Sequence, residues 1–491
     1  MEIIASQLPL FACLASLLAV IPILLFRKTP NLREAATICA GVLKLALVLA
    51  MLPGVLAGKV YEFTFLEIID GLPLQFRVDG LGMVFALVAS SLWILTSFYA
   101  IGYMRGLKEH AQSRFYCFFA ISLSSTLGVA FSANLLTLYV FYEMLSLATY
   151  PLVTHNQDKE ARSGGRTYLS YLLSTSVGFV LPAMLFCYFK SGSSLTFTES
   201  FEWAGVLAHS ELLILVPLFV FGFAKAGIMP FHSWLPNAMV APTPVSALLH
   251  AVAVVKVGVF CILRVFTGVF GTEYLQTMDV TTLVSWAAAI TVITSSLIAM
   301  TQDNLKRLLA FSTIGQLSYI ILGVSLLAPH AVQGSMLHIP MHAFGKITLF
   351  FCAGAIYVAS GKKYISQLGG IGRAMPWTMT ALAIGAMSVI GLPLTGGLLS
   401  KLYMIWGAAD AQQHVLLAVY LVSSVLNGVY FFPIAYRAFF GVPKDGENHD
   451  KVREAPLACV VPLVLTATVS VLLFFFPGVF FELTSLMIPS K

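Results

Sequence analysis

Residues 338–346 read HIPMHAFGK, so His338, His342 and Lys346 recur every four positions. On a helix this interval stacks them on one face, about 12 Å from first to last. Imidazoles and amines pick up and release protons, and three in a row form a relay. Pro340, inside the stripe, removes one backbone hydrogen bond and leaves the Met336 carbonyl free for water or a side chain. In LLHAVAVVKVGVFCILR, His250 and Lys256 are six apart, roughly 120° round a helix. They face two neighbouring helices, which suits a bridging role. Lys44, Lys225 and Lys401, with Glu143 in YVFYEMLSLATYP, also interrupt apolar stretches. The chemistry on offer is proton transfer, with no residue set for bond-making catalysis.

The elements that must position these groups are membrane helices. The chain has 491 residues, 58% hydrophobic and 10% charged, against about 25% charged in soluble domains. Apolar runs of the roughly 20 residues that cross a bilayer recur from end to end. Residues 1–491 therefore read as one membrane-embedded domain, an all-α polytopic membrane protein with about 14 transmembrane helices. The spans fall near 5–26, 34–57, 80–104, 115–132, 135–153, 167–189, 211–229, 244–263, 281–300, 308–327, 332–360, 376–405, 415–436 and 456–481. Loops after odd-numbered spans carry 18 Lys/Arg and the opposite side carries 5. A wrong helix count scrambles such an alternation. By the positive-inside rule both termini lie on the outer face. The first apolar run has no basic region ahead of it and no small-residue cleavage site, and reads as a retained helix. Residues 60–79 alternate in polarity around a Gly71-Leu72-Pro73 turn, which predicts a short outer β-hairpin. The polar stretch GVPKDGENHDKVREAP reads as a solvated loop or a partner contact.

Five of the 28 basic residues fall within spans: Lys44, Lys225, Lys256, Lys346 and Lys401. Of the 22 acidic residues only Glu143 lies near mid-span. A lysine at a helix centre costs about 2.5–3.5 kcal/mol. Five facing lipid would cost roughly 12–18 kcal/mol, as much as the stability of a typical domain, so they face protein, water or one another. The bland reading of Lys44 is a structural side chain that snorkels to an interface. The bland reading of Glu143 is a static pair with one lysine, which leaves the others without partners. Burial disfavours an ammonium and a nearby carboxylate favours it. A lysine whose carboxylate partner approaches and withdraws is thus a proton switch.

Span seven breaks at GIMPFHSWLPNAMVAPTPVS beside Lys225, and span twelve at SVIGLPLTGGLLSKLY beside Lys401. The breaks sit five spans apart, so the two helices run in opposite directions. That marks an inverted repeat of two five-helix units, spans 4–8 (about 115–266) and 9–13 (about 281–440). Interrupted helices in matching positions point to an ion site, because unwound backbone survives only against a wet or protein-filled cavity. The seven cysteines are scattered with no CxxC pair, which argues against zinc, iron–sulfur or dithiol chemistry. No phosphate or dinucleotide loop occurs. No metal, no cofactor and no nucleic acid is expected.

The stretches FAKAGIMPFHSWLPNAMVAPTPVSALLHA, TQDNLKRLLAFSTIGQLSYI, HIPMHAFGKITLFFCAGAI and GLPLTGGLLSK resemble the antiporter-like proton-translocating subunit family over about residues 70–440. Its members are large subunits of Mrp-type sodium/proton antiporters, the M, N and L subunits of the complex I membrane arm, and relatives in membrane-bound hydrogenases. The resemblance implies fourteen helices with two inverted five-helix repeats, other subunits of a multi-subunit complex as partners, and a prokaryotic inner or plasma membrane. Glu143 and Lys225 resemble the family's ion pair, and His250 and Lys256 its connecting groups. His338, His342 and Lys346 match the central stripe, and Lys401 the terminal group. The M type usually has glutamate where this chain has Lys401, which favours the Mrp D type. The implied function is proton translocation within a sodium/proton antiporter. The alternative is a proton-pumping arm subunit of an NADH:quinone oxidoreductase, membrane-bound hydrogenase or formate hydrogenlyase, with all electron chemistry in partners. A purely structural scaffold is the third reading.

Overall fold

The computed structural model describes residues 2–69, 72–192, 195–197, 203, 206–443, 449 and 452–488. Among these residues fifteen principal helices follow one another: α1 (Leu8–Leu25), α2 (Pro30–Leu56), α3 (Gly80–Gly106), α4 (Gln112–Ala130), α5 (Leu135–Val153), α6 (Lys159–Lys190), α7 (His209–Gly222), α8 (Thr243–Val269), α9 (Thr282–Met300), α10 (Leu305–Ser325), α11 (Pro329–Ser360), α12 (Pro376–Ile390), α13 (Gly396–Asp410), α14 (His414–Phe440) and α15 (Leu457–Phe475). Among the described residues 11 of them are long and apolar enough to cross a membrane, and α7 and α12 are shorter apolar helices. The chain is a multi-pass, all-α membrane protein. In α4 the hydroxyls of Ser122, Ser125 and Thr126 donate back to the carbonyls of Phe118, Ile121 and Ser122. Serine and threonine can thus sit in a membrane helix without an outside partner.

Local chemistry sets the helix starts. The side chains of Asp79, Asn134, Asp158 and Asn304 accept from the backbone N–H three residues on, at 2.9, 2.8, 2.6 and 3.1 Å. Each satisfies one of the orphaned donors of a first turn. Asp158 starts α6 at Lys159, eight residues before the expected span. Within α6, Pro182 cannot donate, and the helix widens into a π-turn over Ser176–Val180 just before it.

The expected hairpin forms from β2 (Lys59–Ile69) and β3 (Leu72–Val78), pairing Tyr61 with Val78 and Phe63 with Phe76. Gly71 lies outside the described residues, as does most of the polar stretch after Pro443. A strand the sequence did not announce, β1 (Glu2–Ala5), runs parallel to β2, with Glu2 opposite Lys59. Four residues carry too short a pattern to read, and their partner is more than fifty residues away.

Helices α8 and α10 are buried on all sides, and α11 and α3 over most of theirs, whereas α1 and α2 expose most of their surface. The centre of the molecule is therefore α8, α10 and α11, and the sequence places charged and imidazole groups in that centre.

Candidate functional site

The first break begins where α7 ends at Gly222. A tight turn over Ala224–Ala226 follows, then Gly227 at φ +71°, and helix resumes at Trp234. The freed backbone finds other partners. Trp234 Nε1 donates to the Ala224 carbonyl at 2.9 Å, and the Met229 N–H donates to Thr291 Oγ1 at 3.2 Å. The unwound segment lies directly on α8 at Gly258. A Cβ there would stand 2.1 Å from Ala226 N and 2.4 Å from the carbonyl carbon of Lys225. Only glycine allows that approach.

Lys225 is wholly buried. Its Nζ donates to the Tyr142 carbonyl at 2.6 Å and to Ser146 Oγ at 2.7 Å, and sits 3.1 Å from the centroid of the Tyr142 ring. Glu143 is the next residue along α5 and points elsewhere. It lines an apolar groove of about 590 Å³ with Phe118, Ile121, Val140 and Leu147. Both its carboxylate oxygens are buried without a hydrogen-bond partner. No ion pair joins Glu143 to Lys225 among the described residues: the Lys225 ammonium meets the turn of α5 that carries Glu143 without touching its carboxylate.

The second break separates α12 from α13 at Gly391, whose φ is +90°. Lys401 reaches back across it, donating to the Val389 and Ile390 carbonyls at 2.8 and 3.0 Å. Those are last-turn carbonyls with no intrahelical donor, at the end of a helix that favours positive charge. The Lys401 ammonium thus caps the broken helix.

Between the breaks runs a line of neighbouring polar side chains, joined partly by hydrogen bonds and partly by ring contacts. Lys256 Nζ lies 2.7 Å from His342 Nδ1. The rings of His342 and His338 are 5.4 Å apart, centroid to centroid. His338 contacts Ser400 Oγ at 2.8 Å and Gln316 Oε1 at 3.2 Å. Its ring lies 6.1 Å from that of Tyr319, which carries the Lys401 ammonium 4.6 Å from its own centroid. Lys346 branches off, donating to Ser312 Oγ at 2.7 Å, and Ser312 in turn meets the Tyr430 hydroxyl at 2.8 Å. The four-residue stripe on α11 therefore forms as expected. Lys256 and His250 both meet α11, so the expected split between two neighbouring helices does not form. The His250 ring packs at a tilt 4.7 Å from that of Phe350, and neither of its ring nitrogens has a hydrogen-bond partner.

Further buried atoms along this line lack protein partners: His342 Nε2, Gln316 Nε2, Ser388 Oγ and Asn427 Nδ2. Buried polar atoms are nearly always bonded, and a string of orphans in one seam is what ordered water satisfies.

Ser312, Gln316, Tyr319, Ser400 and Tyr430 belong to this line and were not singled out in the sequence. A signal existed for three of them. In FSTIGQLSY, Ser312, Gln316 and Tyr319 fall at intervals of four and three, one helix face. Lys44 does not snorkel. It is buried, donating to Ser16 Oγ at 3.1 Å and to the Leu123 carbonyl at 2.7 Å. Arg264, counted as a loop charge, forms a buried two-pronged pair with Asp79 at 2.5 and 2.6 Å. Burial pushes the Asp79 carboxyl up, but the Arg264 charge and hydrogen bond, with the Gly82 N–H, together hold it below the usual range.

The family described as "NADH:quinone oxidoreductase/Mrp antiporter, TM" matches residues 132–427. The chain belongs to this family. A second model, "NADH-Ubiquinone oxidoreductase (complex I), chain 5 N-terminus", matches residues 69–116. The chain is 32% identical over 412 residues to NADH-quinone oxidoreductase subunit N of Desulforudis audaxviator, covering 79% of this chain and 80% of that one. It is 31% identical over 445 residues to Na(+)/H(+) antiporter subunit A1 of Staphylococcus aureus strain JH9, covering 83% of this chain. It spans only 53% of that longer subunit. The fold is that of a chain in the Mrp complex from Dietzia sp. DQ12-45-1b, with a TM-score of 0.85 at 21% identity over 98% of this chain and 96% of that one. A chain of the archaeal membrane-bound sulfane sulfur reductase superposes with a TM-score of 0.84 at 23% identity, over 98% and 97%. Lys225, Lys256, Lys346, Lys401 and the three α11 histidines lie within residues 132–427, and Lys44 lies outside both matched regions.

Proposed function

We propose that this chain is a proton-translocating subunit of a multi-subunit sodium/proton antiporter. In this reading it threads the membrane fourteen times as two inverted five-helix repeats. The observation that carries it is the buried row of neighbours Lys256, His342, His338, Tyr319 and Lys401, which crosses α8, α11, α10 and α13 and ends beside the second helix break. Glu143 tunes the charge on Lys225, Lys256 passes protons to the His342 and His338 rings, and Lys346 and Lys401 receive them. His250 joins the path through water. Moving one charge across 100 mV costs about 2.3 kcal/mol, which short steps between neighbouring groups divide into small increments. The likeness to subunit A1 of Staphylococcus aureus supports antiport, and a lysine at position 401 supports the Mrp D type.

The test is proton transport in everted vesicles holding the assembled complex, read with a pH-sensitive dye. Lys225→Ala and Glu143→Ala are each expected to abolish sodium-driven proton movement while the complex still purifies intact. Transport at wild-type rates in either variant overturns the reading.

A second reading rests on the 32% identity to an NADH-quinone oxidoreductase subunit N, over four-fifths of its length. There the same path is driven by redox partners. The subunit composition of the complex purified in mild detergent separates the two: small antiporter subunits favour the first, flavin, iron–sulfur or nickel subunits the second.

A further inference from the structure

Outside the spans, the loop between α3 and α4 meets the loop between α5 and α6, and three side chains converge there. Glu109, His110 and His155 each bring one ligand-capable atom within 4.8 Å of the others. We propose that they form a binding site for a divalent transition-metal ion of the zinc class.

Three features of the cluster point to a cation. His155 is fully buried, yet neither ring nitrogen has a hydrogen-bond partner, an arrangement that buried imidazoles avoid unless something else satisfies them. His110 Nε2 lies 3.1 Å from the His155 carbonyl. With its proton on Nε2 the ring donates there and presents a bare Nδ1 lone pair, 3.8 Å from Glu109 Oε2. A metal-ligating histidine is usually held in that way, by its second nitrogen on a backbone carbonyl. Finally, in that tautomer the Nδ1 lone pair faces a carboxylate oxygen, a repulsion that a proton or a metal cation relieves. Two imidazoles and one carboxylate, with a fourth position for water, are a zinc-type set and a poor one for magnesium or calcium. Bonds of 2.0–2.2 Å place tetrahedral ligand atoms about 3.4 Å apart. His110 is exposed and Glu109 half-buried, so both have room to close the remaining gap of up to about 1.4 Å toward His155. Arg114 donates to the His155 carbonyl at 2.7 Å, which anchors the loop.

An ion here staples the two loops together. Glu109 also lines a cavity of about 530 Å³ that reaches Lys306 and Lys362. On the proton reading proposed above, a fixed double charge at this mouth slows proton entry, so the ion acts as a brake.

The experiment uses the untagged full-length chain in detergent, stripped with chelator and titrated with Zn²⁺ against a competing indicator dye. One tight site per chain is expected. Glu109→Gln and His110→Asn, both at accessible positions, should each weaken it by about 10- to 100-fold, at least the loss seen for outer-shell partners of metal ligands. A control, His330→Asn at the exposed His330–Asp410 pair, should leave it unchanged. Binding that is equal in the wild type and both cluster variants overturns the site. The transport arm is separate: Zn²⁺ should inhibit wild-type vesicles and spare Glu109→Gln. Tight binding without inhibition overturns the brake and leaves the site standing, and neither result depends on which ion drives transport.

Discussion

At Lys401 the ammonium takes the last two carbonyls of a broken helix, whereas at Lys225 it takes a carbonyl and a hydroxyl from α5 and lies against the Tyr142 ring. Each amine is solvated by oxygen atoms and an aromatic face, so neither needs a carboxylate in contact to stay in the membrane. A closed pair would fix the distance from Glu143 to Lys225, and none forms among the described residues. The Asp79–Arg264 pair is the opposite case, closed and buried. Breaking one partner of such a pair strands the other charge and costs about 3–5 kcal/mol. Asp79→Asn is therefore expected to lower thermal stability in detergent by that order, while replacement of both residues by apolar ones of similar size restores most of it. Because the folded Asp79 carboxyl lies below its ordinary value of 3.8, its contribution is fully present above that pH and is lost only as pH falls further. Thermal scans in detergent between pH 7 and strongly acidic buffer check the sign.

Among the elements, the two breaks decide what the site is. Pro230, Pro236 and the Gly391–Thr395 turn were legible because proline and glycine interrupt helices for local reasons. The partners that absorb the freed backbone groups were not. Gly258 makes the dependence testable. Gly258→Ala places a methyl against the backbone of Lys225 and Ala226, and should push the unwound segment off α8, abolishing transport and destabilising the fold. Gly178 in α6 has nothing within 4 Å of its added Cβ, so Gly178→Ala should be neutral or stabilise by up to about 1 kcal/mol. If the two variants match in transport and melting temperature, the seat at Gly258 has no role. The π-turn around His250, over Leu248–Val252, contains no proline and was invisible beforehand.

For the whole molecule the alternation of loop charge predicts which loops face the cytoplasm, and labelling tests it directly. In intact cells carrying Cys39→Ser, a membrane-impermeant maleimide should label Gln412→Cys, in the connection between α13 and α14. It should miss Lys363→Cys, after α11, until the cells are opened. The reverse pattern turns the proposed topology over. The sequence alone determined that the chain lives in lipid, roughly where it crosses, that its helices break beside Lys225 and Lys401, and that His338, His342 and Lys346 share a face. Each of these follows from composition, local backbone chemistry or helical period, which need no knowledge of neighbours. Tertiary structure alone decided that Lys256 meets His342, that His338 meets Ser400, that Glu143 stands apart from Lys225, and that His155 is buried beside His110. A helical period tells which residues share a face, while the helix that face meets depends on packing between segments far apart in the chain.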